Sequence, residues 1–557
     1  MLNIIKSCTF LLFFSFLHEY VNGQVEIYQF SSETKKASDF KVYVNDQEVF
    51  VHTAPASISL DPLNLQGMPT PAFASFGCSE TVTVRVELIG ESLNSVELRP
   101  RSKGISPTIN GSECSFTMSS MDKIIVLKNG DKNRRLYLFA NPLEVNKPSP
   151  IDSNVIYYAA GQIYDVGVLN TQPGQIIYIE GGAIVKGNIN VYNDSNVQVK
   201  GFGILDATGR NPNQTIRVNN SPNFTMEGIT IVNENNWTVG IYISNNVAIK
   251  DAKIIAYNNV YTDGLDVLGS SHIYINNCFI TSGDDCISIK TDKWIFAGNV
   301  NDVVVENCIL WKERRGNAMT IGKEVGKYKG NSHLGIRDVY FSNIDVAYDG
   351  TVPESPFGRA AISVYNDGMG YVKNINWTNI NIDEAKENLI NITSAASAEA
   401  FVDSISVTNV NLTGGERVPS IISGYNFQKK IEHVAFDSLM IHGQLILNHA
   451  AGNFTIKNAD EITFGPSSQV GVYNTIESKE HVKIYPNPAN NFFYIEPFSN
   501  AKGIVLLYRI DGVVVRKQYI EQKTSISTID LAQGLYLFKY FSENGKVVKA
   551  QNLYITR

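Results

Sequence analysis

Asn246-Val247-Ala248-Ile249-Lys250-Asp251-Ala252-Lys253-Ile254, His272-Ile273-Tyr274-Ile275-Asn276-Asn277-Cys278-Phe279-Ile280 and Asp302-Val303-Val304-Val305-Glu306-Asn307-Cys308-Ile309-Leu310 are three versions of one phrase. It returns at 339–344, 375–380 and 405–410. Taking Asp251, Asn277, Asn307, Asn343, Asn379 and Asn409 as equivalent gives a repeat of 26 to 36 residues, a period that marks solenoids. Alternate side chains in each phrase are apolar and would point inward, while an Asn at the turn can bond the backbone or stack on the Asn of the next coil. A leucine-rich repeat would need a dense Leu framework and often a helix per repeat, and neither is present. The pattern predicts an all-β chain with a right-handed parallel β-helix at its centre. Turns at 196–201 and 223–228 extend it backward, so the helix is expected over 151 to about 478.

Outward from that core the pattern changes twice. Residues 25–148 read as short alternating strands, clearest where Val82, Val84, Val86 and Leu88 share one face, which predicts an N-terminal β-sandwich over 24–148. Asn141-Pro142 through Pro148-Ser149-Pro150 reads as a hinge into the helix. The tail, 482–557, opens on Val482-Lys483-Ile484-Tyr485-Pro486-Asn487-Pro488-Ala489 and carries Leu531-Ala532-Gln533-Gly534-Leu535-Tyr536. These phrases resemble the C-terminal sorting domain of the type IX secretion system. That resemblance implies a small β-sandwich, the secretion machinery as a partner, and a destination that is secreted or cell-surface attached, outside the outer membrane. At the other end Lys6, the apolar run 8–17 and Val21-Asn22-Gly23 form a signal-peptide pattern cleaved near Gln24, too short for a membrane span.

The chain has 557 residues and a net charge of −7, without a Lys/Arg-dense run, so nucleic acid is not an expected partner. Removal of the leader leaves Cys78, Cys114, Cys278, Cys286 and Cys308. In an oxidising compartment Cys78 with Cys114, and Cys286 with Cys278 or Cys308, are candidate disulfides. Their spacing does not resemble a zinc site, and no metal is expected.

Chemistry concentrates in two phrases on successive coils, Tyr261-Thr262-Asp263-Gly264-Leu265-Asp266 and Ser282-Gly283-Asp284-Asp285-Cys286-Ile287-Ser288-Ile289-Lys290. Asp263 and Asp285 are 22 residues apart, close to one coil, and adjacent coils lie only ~4.8 Å apart. Like charges held that close raise at least one pKa, which keeps a carboxylic acid protonated near neutral pH. Glycoside hydrolysis needs that pair of states, an acid for the leaving oxygen and a carboxylate for water or the sugar. Thr-Asp-Gly alone is an ordinary turn; the Asp284-Asp285 pair one coil later is what points to catalysis.

The two phrases resemble glycoside hydrolase family 28, the polygalacturonase family, whose signatures read Asn-Thr-Asp-Gly-x-Asp, Gly-Asp-Asp-Cys-x-x-x-Lys and Gly-His-Gly-x-x-Ile-Gly. Tyr261 stands at the first Asn, and Gly316-Asn317-Ala318-Met319-Thr320-Ile321-Gly322-Lys323 puts Asn317 where the family has His. Asn hydrogen-bonds but does not exchange a proton near neutral pH. The resemblance implies an inverting glycosidase in which Asp284 is the general acid and Asp263 and Asp285 position and deprotonate water. Asp266 would support the site, Lys290 would neutralise the cluster or contact sugar, and no cofactor is implied.

A second departure is that the family's uronate-holding Arg-x-Lys pair is replaced by Ser363 and Tyr365. Lys323, Arg314, Arg315 and Arg359 are candidates to compensate, and Trp311, Tyr365 and Trp294 candidates to stack on sugar. The expected substrate-binding set is therefore Tyr261, Lys290, Asn317, Lys323, Arg359 and Tyr365, acting on a polysaccharide or oligosaccharide in a monomeric protein. A three-Asp β-helix behind a β-sandwich also resembles family 49 dextranases, which cleave a neutral α-glucan. A calcium-dependent polysaccharide lyase and a non-catalytic glycan-binding surface protein are the remaining readings. The stretch 348–358 is expected to shape one end of the cleft.

Overall fold

Each repeat phrase folds as a strand whose alternate residues point into the solenoid. In His272-Ile273-Tyr274-Ile275, for example, Ile273 and Ile275 are buried while His272 is exposed. The computed structural model describes residues 23–54, 70–208, 214–233, 236–257, 261–350, 359–394, 400–465, 482–485, 489–497, 502–509, 514–542 and 547–555. The proposed signal peptide and most of the 348–358 stretch lie outside these residues.

Successive coils pair in parallel, strand on strand, to make the right-handed parallel β-helix expected from the repeat. One ladder decides where function can sit. It runs through Ile216–Asn219, Val239–Tyr242, Leu265–Leu268, Ile287–Lys290, Met319–Lys323, Ala360–Asn366 and Asn388–Ser394, each strand pairing with the next. Inward residues such as Leu265, Ile287, Met319, Ile362 and Ile390 are fully buried and stack into one continuous core. The outward residues of the same ladder are free to carry chemistry.

The turn asparagines stack as the repeat implied. Asp251, Asn277, Asn307, Asn343, Asn379 and Asn409 all adopt left-handed backbone with φ between 51° and 58°. Asn343, Asn379 and Asn409 each donate Nδ2 to the Oδ1 of the preceding coil, at 3.3, 3.0 and 2.8 Å. Asn tolerates this conformation because its short amide bonds locally.

Ahead of the helix, two antiparallel-rich sheets, one six-stranded and one five-stranded, enclose a core that includes Val42, Val84, Phe116 and Leu138. The stretch read as a hinge starts from a packed junction. Asn141 is buried and hydrogen-bonds Ser75 Oγ at 2.8 Å and Lys253 Nζ at 2.5 Å. Phe73, Ile125, Tyr137 and Phe139 pack on Ile255, Phe279 and Trp311 of the helix. Trp311 is thereby fully buried, which removes it from the candidates for sugar stacking.

All five remaining cysteines are unpaired thiols and buried, so the expected disulfides are absent. Cys278 and Cys308 occupy equivalent places in adjacent coils, where the Cys278 N–H donates to Cys308 Sγ at 3.4 Å. Stacked in-register residues send their Cβ bonds the same way, which a disulfide's dihedral requirement disfavours. Cys286 Sγ instead lies 3.1 Å from Ser282 Oγ.

The C-terminal unit, 469–557, contains a three-stranded and a four-stranded antiparallel sheet. Phe493, Val505, Leu507, Phe538 and Leu553 form its core. Among the described residues no helix is long and apolar enough to cross a membrane.

Candidate active site

The register of the outer ladder assembles the carboxylates. Val239 pairs with Leu265, Leu265 with Ile287, Ile287 with Met319 and Met319 with Ile362. Two residues before each of these positions lies one column, Trp237, Asp263, Asp285, Asn317 and Ala360. Backbone bonds between rungs hold it, with the Thr238 N–H donating to Asp263 O at 2.8 Å, Gly264 N–H to Asp285 O at 2.9 Å and Cys286 N–H to Asn317 O at 3.0 Å.

Local sequence explains the tight turns. The Asp284 N–H donates to Thr262 O at 3.1 Å, and Ser282 Oγ donates to Asp284 O at 2.7 Å, so the Ser-Gly-Asp-Asp turn is tied to the Thr-Asp-Gly turn beneath it. Gly316 has φ +73°, and a Cβ there would come within 2.3 Å of Asp284 Oδ1. Only glycine lets the third turn approach the acid this closely.

Four carboxylates and one ammonium share the centre. Lys290 Nζ lies 2.8 Å from Asp266 Oδ1 and 3.4 Å from Asp263 Oδ2, and all three side chains are 5% exposed or less. Burial would lower the Lys290 pKa, but Asp266 and Asp263 more than offset it and hold it well above its usual value. Burial pushes Asp263 well up, helped by Asp266, and pushes Asp266 up to about 6 against the pull of Lys290. Asp284 is raised to about 7 by burial and by the Asp285 charge, opposed by Arg315, Lys290 and Lys323. A single buried cation among four acids cannot neutralise them all, so the cluster retains protons near neutrality.

Asp285 is clamped. Its Oδ1 accepts from the Asn317 N–H at 2.7 Å, Asn317 Nδ2 at 3.0 Å and Thr320 Oγ1 at 2.8 Å. Asn317 Oδ1 accepts from the Ala360 N–H at 2.9 Å, which fixes the amide in turn. The residue standing at the family histidine position thus spends its hydrogen bonds orienting an acid.

Asp284 and Asp285 open into a cleft of about 60 Å³ lined also by Arg315, Asn317, Thr320, Lys323, Arg359, Ser363 and Tyr365. Of the expected substrate-binding residues this gathers four, Asn317, Lys323, Arg359 and Tyr365, beside the two acids, together with Arg315 and Ser363. Arg315 Nε is 3.9 Å from Asp284 Oδ2, and its guanidinium sits 5.4 Å from the Tyr261 ring, which is half exposed. Arg359 is held below its usual pKa by burial and lies 3.7 Å from Glu387. Lys290 lies outside the cleft lining, enclosed between its two acids and the Trp237 ring 3.9 Å away. Thr320 and Trp237 were not singled out in the sequence. Thr320 was within reach, because it is the outward residue of the strand that follows Asn317.

Residues 159–414 match the family described as Glycosyl hydrolases family 28, and residues 483–552 match the Secretion system C-terminal sorting domain. The chain is 25% identical over 229 residues to exopolygalacturonase A of Aspergillus niger, which covers 37% of this chain and 48% of that protein. It is 27% identical over 251 residues to a probable exopolygalacturonase B of Aspergillus terreus, covering 42% and 53% of the two chains. The chain therefore spans about half the length of these curated relatives. Among solved structures, Dex49A from Penicillium minioluteum superposes with a TM-score of 0.52 at 16% identity, over 78% of this chain and 96% of that one, a likeness of fold. By these matches residues 159–414 are a glycosyl hydrolases family 28 domain, and residues 483–552 are a secretion system C-terminal sorting domain.

Proposed function

We propose that the chain is a polygalacturonase-like glycosidase that hydrolyses O-glycosidic bonds of a polysaccharide with inversion at the anomeric carbon. The observation that carries this reading is the pairing of Asp284, raised to about 7, with Asp285, fixed through Oδ1 by Asn317 and Thr320 one coil away. Asp284 is the general acid: its proton goes to the glycosidic oxygen as the bond to the anomeric carbon breaks. A water held by Asp263 and Asp285 adds its oxygen to that carbon and gives up a proton to them. Burial that makes Asp263 reluctant to ionise also makes it a strong acceptor once it has ionised. Lys290 holds compensating charge under the cluster rather than in the cleft.

The cleft sets three cations, Arg315, Lys323 and Arg359, around two acids, one of which is kept substantially protonated. That balance suits an anionic sugar and supports a uronate over a neutral glucan, in a chain that lacks the Arg-x-Lys pair. The curated relatives are named exopolygalacturonases, and attack from a chain end is accordingly expected. A calcium-dependent lyase would need a metal among these acids, whereas the Lys290 ammonium already bridges Asp263 and Asp266. The sorting domain supports export by type IX machinery to the outside of the outer membrane, after removal of the leader.

Proton NMR of the first product from oligogalacturonides tests the proposal. A saturated product with inverted anomeric configuration is expected. Retention would overturn the water-positioning roles, and a 4,5-unsaturated product would overturn hydrolysis itself.

A further inference from the structure

The catalytic column does not begin at Asp263. One rung earlier stands Trp237, two residues ahead of Val239 as Asp263 is of its partner Leu265, and Trp237 is itself capped by a second tryptophan. The Trp294 ring lies 5.4 Å from that of Trp237 at an interplanar angle of 34°. Contacts run without a break from the acids to the surface: Asp263 to Lys290 at 3.4 Å, Lys290 to the Trp237 ring at 3.9 Å, then Trp237 to Trp294.

Trp294 is 52% exposed, and the hairpin that carries it is anchored. Its two short strands, Asp292–Lys293 and Phe296–Ala297, pair with each other. Asp292 accepts from the Lys327 and Lys329 N–H groups at 3.1 and 3.0 Å, and Lys293 Nζ bonds Glu324 Oε1 at 2.9 Å. An isolated exposed tryptophan is unremarkable. A tryptophan fixed on a braced hairpin and continuous through Trp237 and Lys290 with the acid column is placed for a ligand that reaches beyond the acids.

We propose that Trp294, backed by Trp237, is a stacking platform for the apolar face of a substrate pyranose ring bound next to the acids. The inference rests on the hydrolase reading and adds a specificity-determining subsite to it. The site accordingly has two unlike sides, a cationic cleft that reads charge and an aromatic ledge that reads ring shape. Because the ledge lies away from the bond that breaks, it contributes to binding more than to the chemical step.

The test uses the full chain, with Trp294→Ala and Trp294→Phe, against a series of oligogalacturonides. Steady-state kinetics should show Trp294→Ala raising KM about three- to tenfold, the size of one lost aromatic stack, with kcat within about twofold, and Trp294→Phe restoring most of the affinity. In an Asp284→Asn background, tryptophan emission should shift on titration with hexagalacturonide. Of the four tryptophans Trp311 and Trp377 are fully buried, so the signal reports the ledge and should vanish with Trp294→Ala. An active enzyme whose KM and emission response are untouched by Trp294→Ala would overturn the platform and leave the hydrolase standing. A Trp294-dependent emission shift with isomalto-oligosaccharides, in a chain that cleaves no uronate glycan, would keep the platform and overturn the uronate reading. No shift with either sugar series would overturn the platform.

Discussion

Two columns climb the same solenoid, and they obey opposite rules. In the turn column, Asn307, Asn343, Asn379 and Asn409 repeat one residue in one conformation, each rung bonding the last. In the outer column, Trp237, Asp263, Asp285, Asn317 and Ala360, only one residue type recurs, the Asp on two consecutive rungs. Repetition satisfies each polar group with its own copy one coil away. An Asp cannot be satisfied that way, because its copy one coil away carries the same charge, a cost that a chain bears where the strain is used. In a solenoid, the place where a column stops repeating is the place to look for chemistry.

The contrast breaks most sharply at Asp284. Asp284→Asn keeps shape and removes the proton, and kcat should fall by about 10²- to 10⁴-fold, measured as product release under saturating glycan. The same variant probes the strain. Asp284 takes up its proton more readily folded than unfolded, so its ionisation counts against the fold from about 4 upward and fully above about 7. Thermal unfolding should therefore show Asp284→Asn more stable than the native chain, by a margin that grows between those pH values and is absent at lower pH. Activity that needs protonated Asp284 should also decline above about pH 7.

Gly316→Ala should follow, with a loss of about 10²-fold as the new Cβ displaces Asp284, a misplacement of the kind that costs that much in rate. Asn317→Ala removes one of three donors to Asp285 and lets the Ala360 rung drift, and kcat should drop about tenfold or more. KM would change less, because Asn317 faces the acid. At the other column, Asn379→Ala should leave kcat unaltered and lower stability by about 1–2 kcal/mol, combining a lost ladder bond with left-handed strain. Asn379→Gly would recover the strain part alone. Loss of activity at Asn379 comparable to that at Asn317 would erase the distinction between the columns.

The β-helix was legible because its phrases recur with Asn at the same place, and a repeated turn residue marks the coil whatever the loop lengths do. Asp263, Asp284 and Asp285 were legible because each sits inside a short phrase next to a strand. Trp237 was not, since membership of the column depends on register across coils of unequal length. Asp263 and Asp285 are separated by 22 residues, Asp285 and Asn317 by 32, and Asn317 and Ala360 by 43. Insertions between strands hide such equivalence until the hydrogen bonds are seen. The fate of Trp311 was hidden for a different reason: only the packing of the N-terminal sandwich against the helix decides that this ring is buried. Asn317 was visible as a departure, but its function as a clamp on Asp285 depends on geometry that spacing does not carry.

The central claim is that the acids at the outer column hydrolyse a glycosidic bond, with the adjoining Asp284 as the general acid. Reducing-sugar release from polygalacturonan by the purified chain, run beside Asp284→Asn, tests it most directly. The account predicts release by the native chain and at least a hundredfold less by the variant, consistent with the loss of a general acid. Equal release by both, or none by either across uronate and neutral glycans, would contradict it.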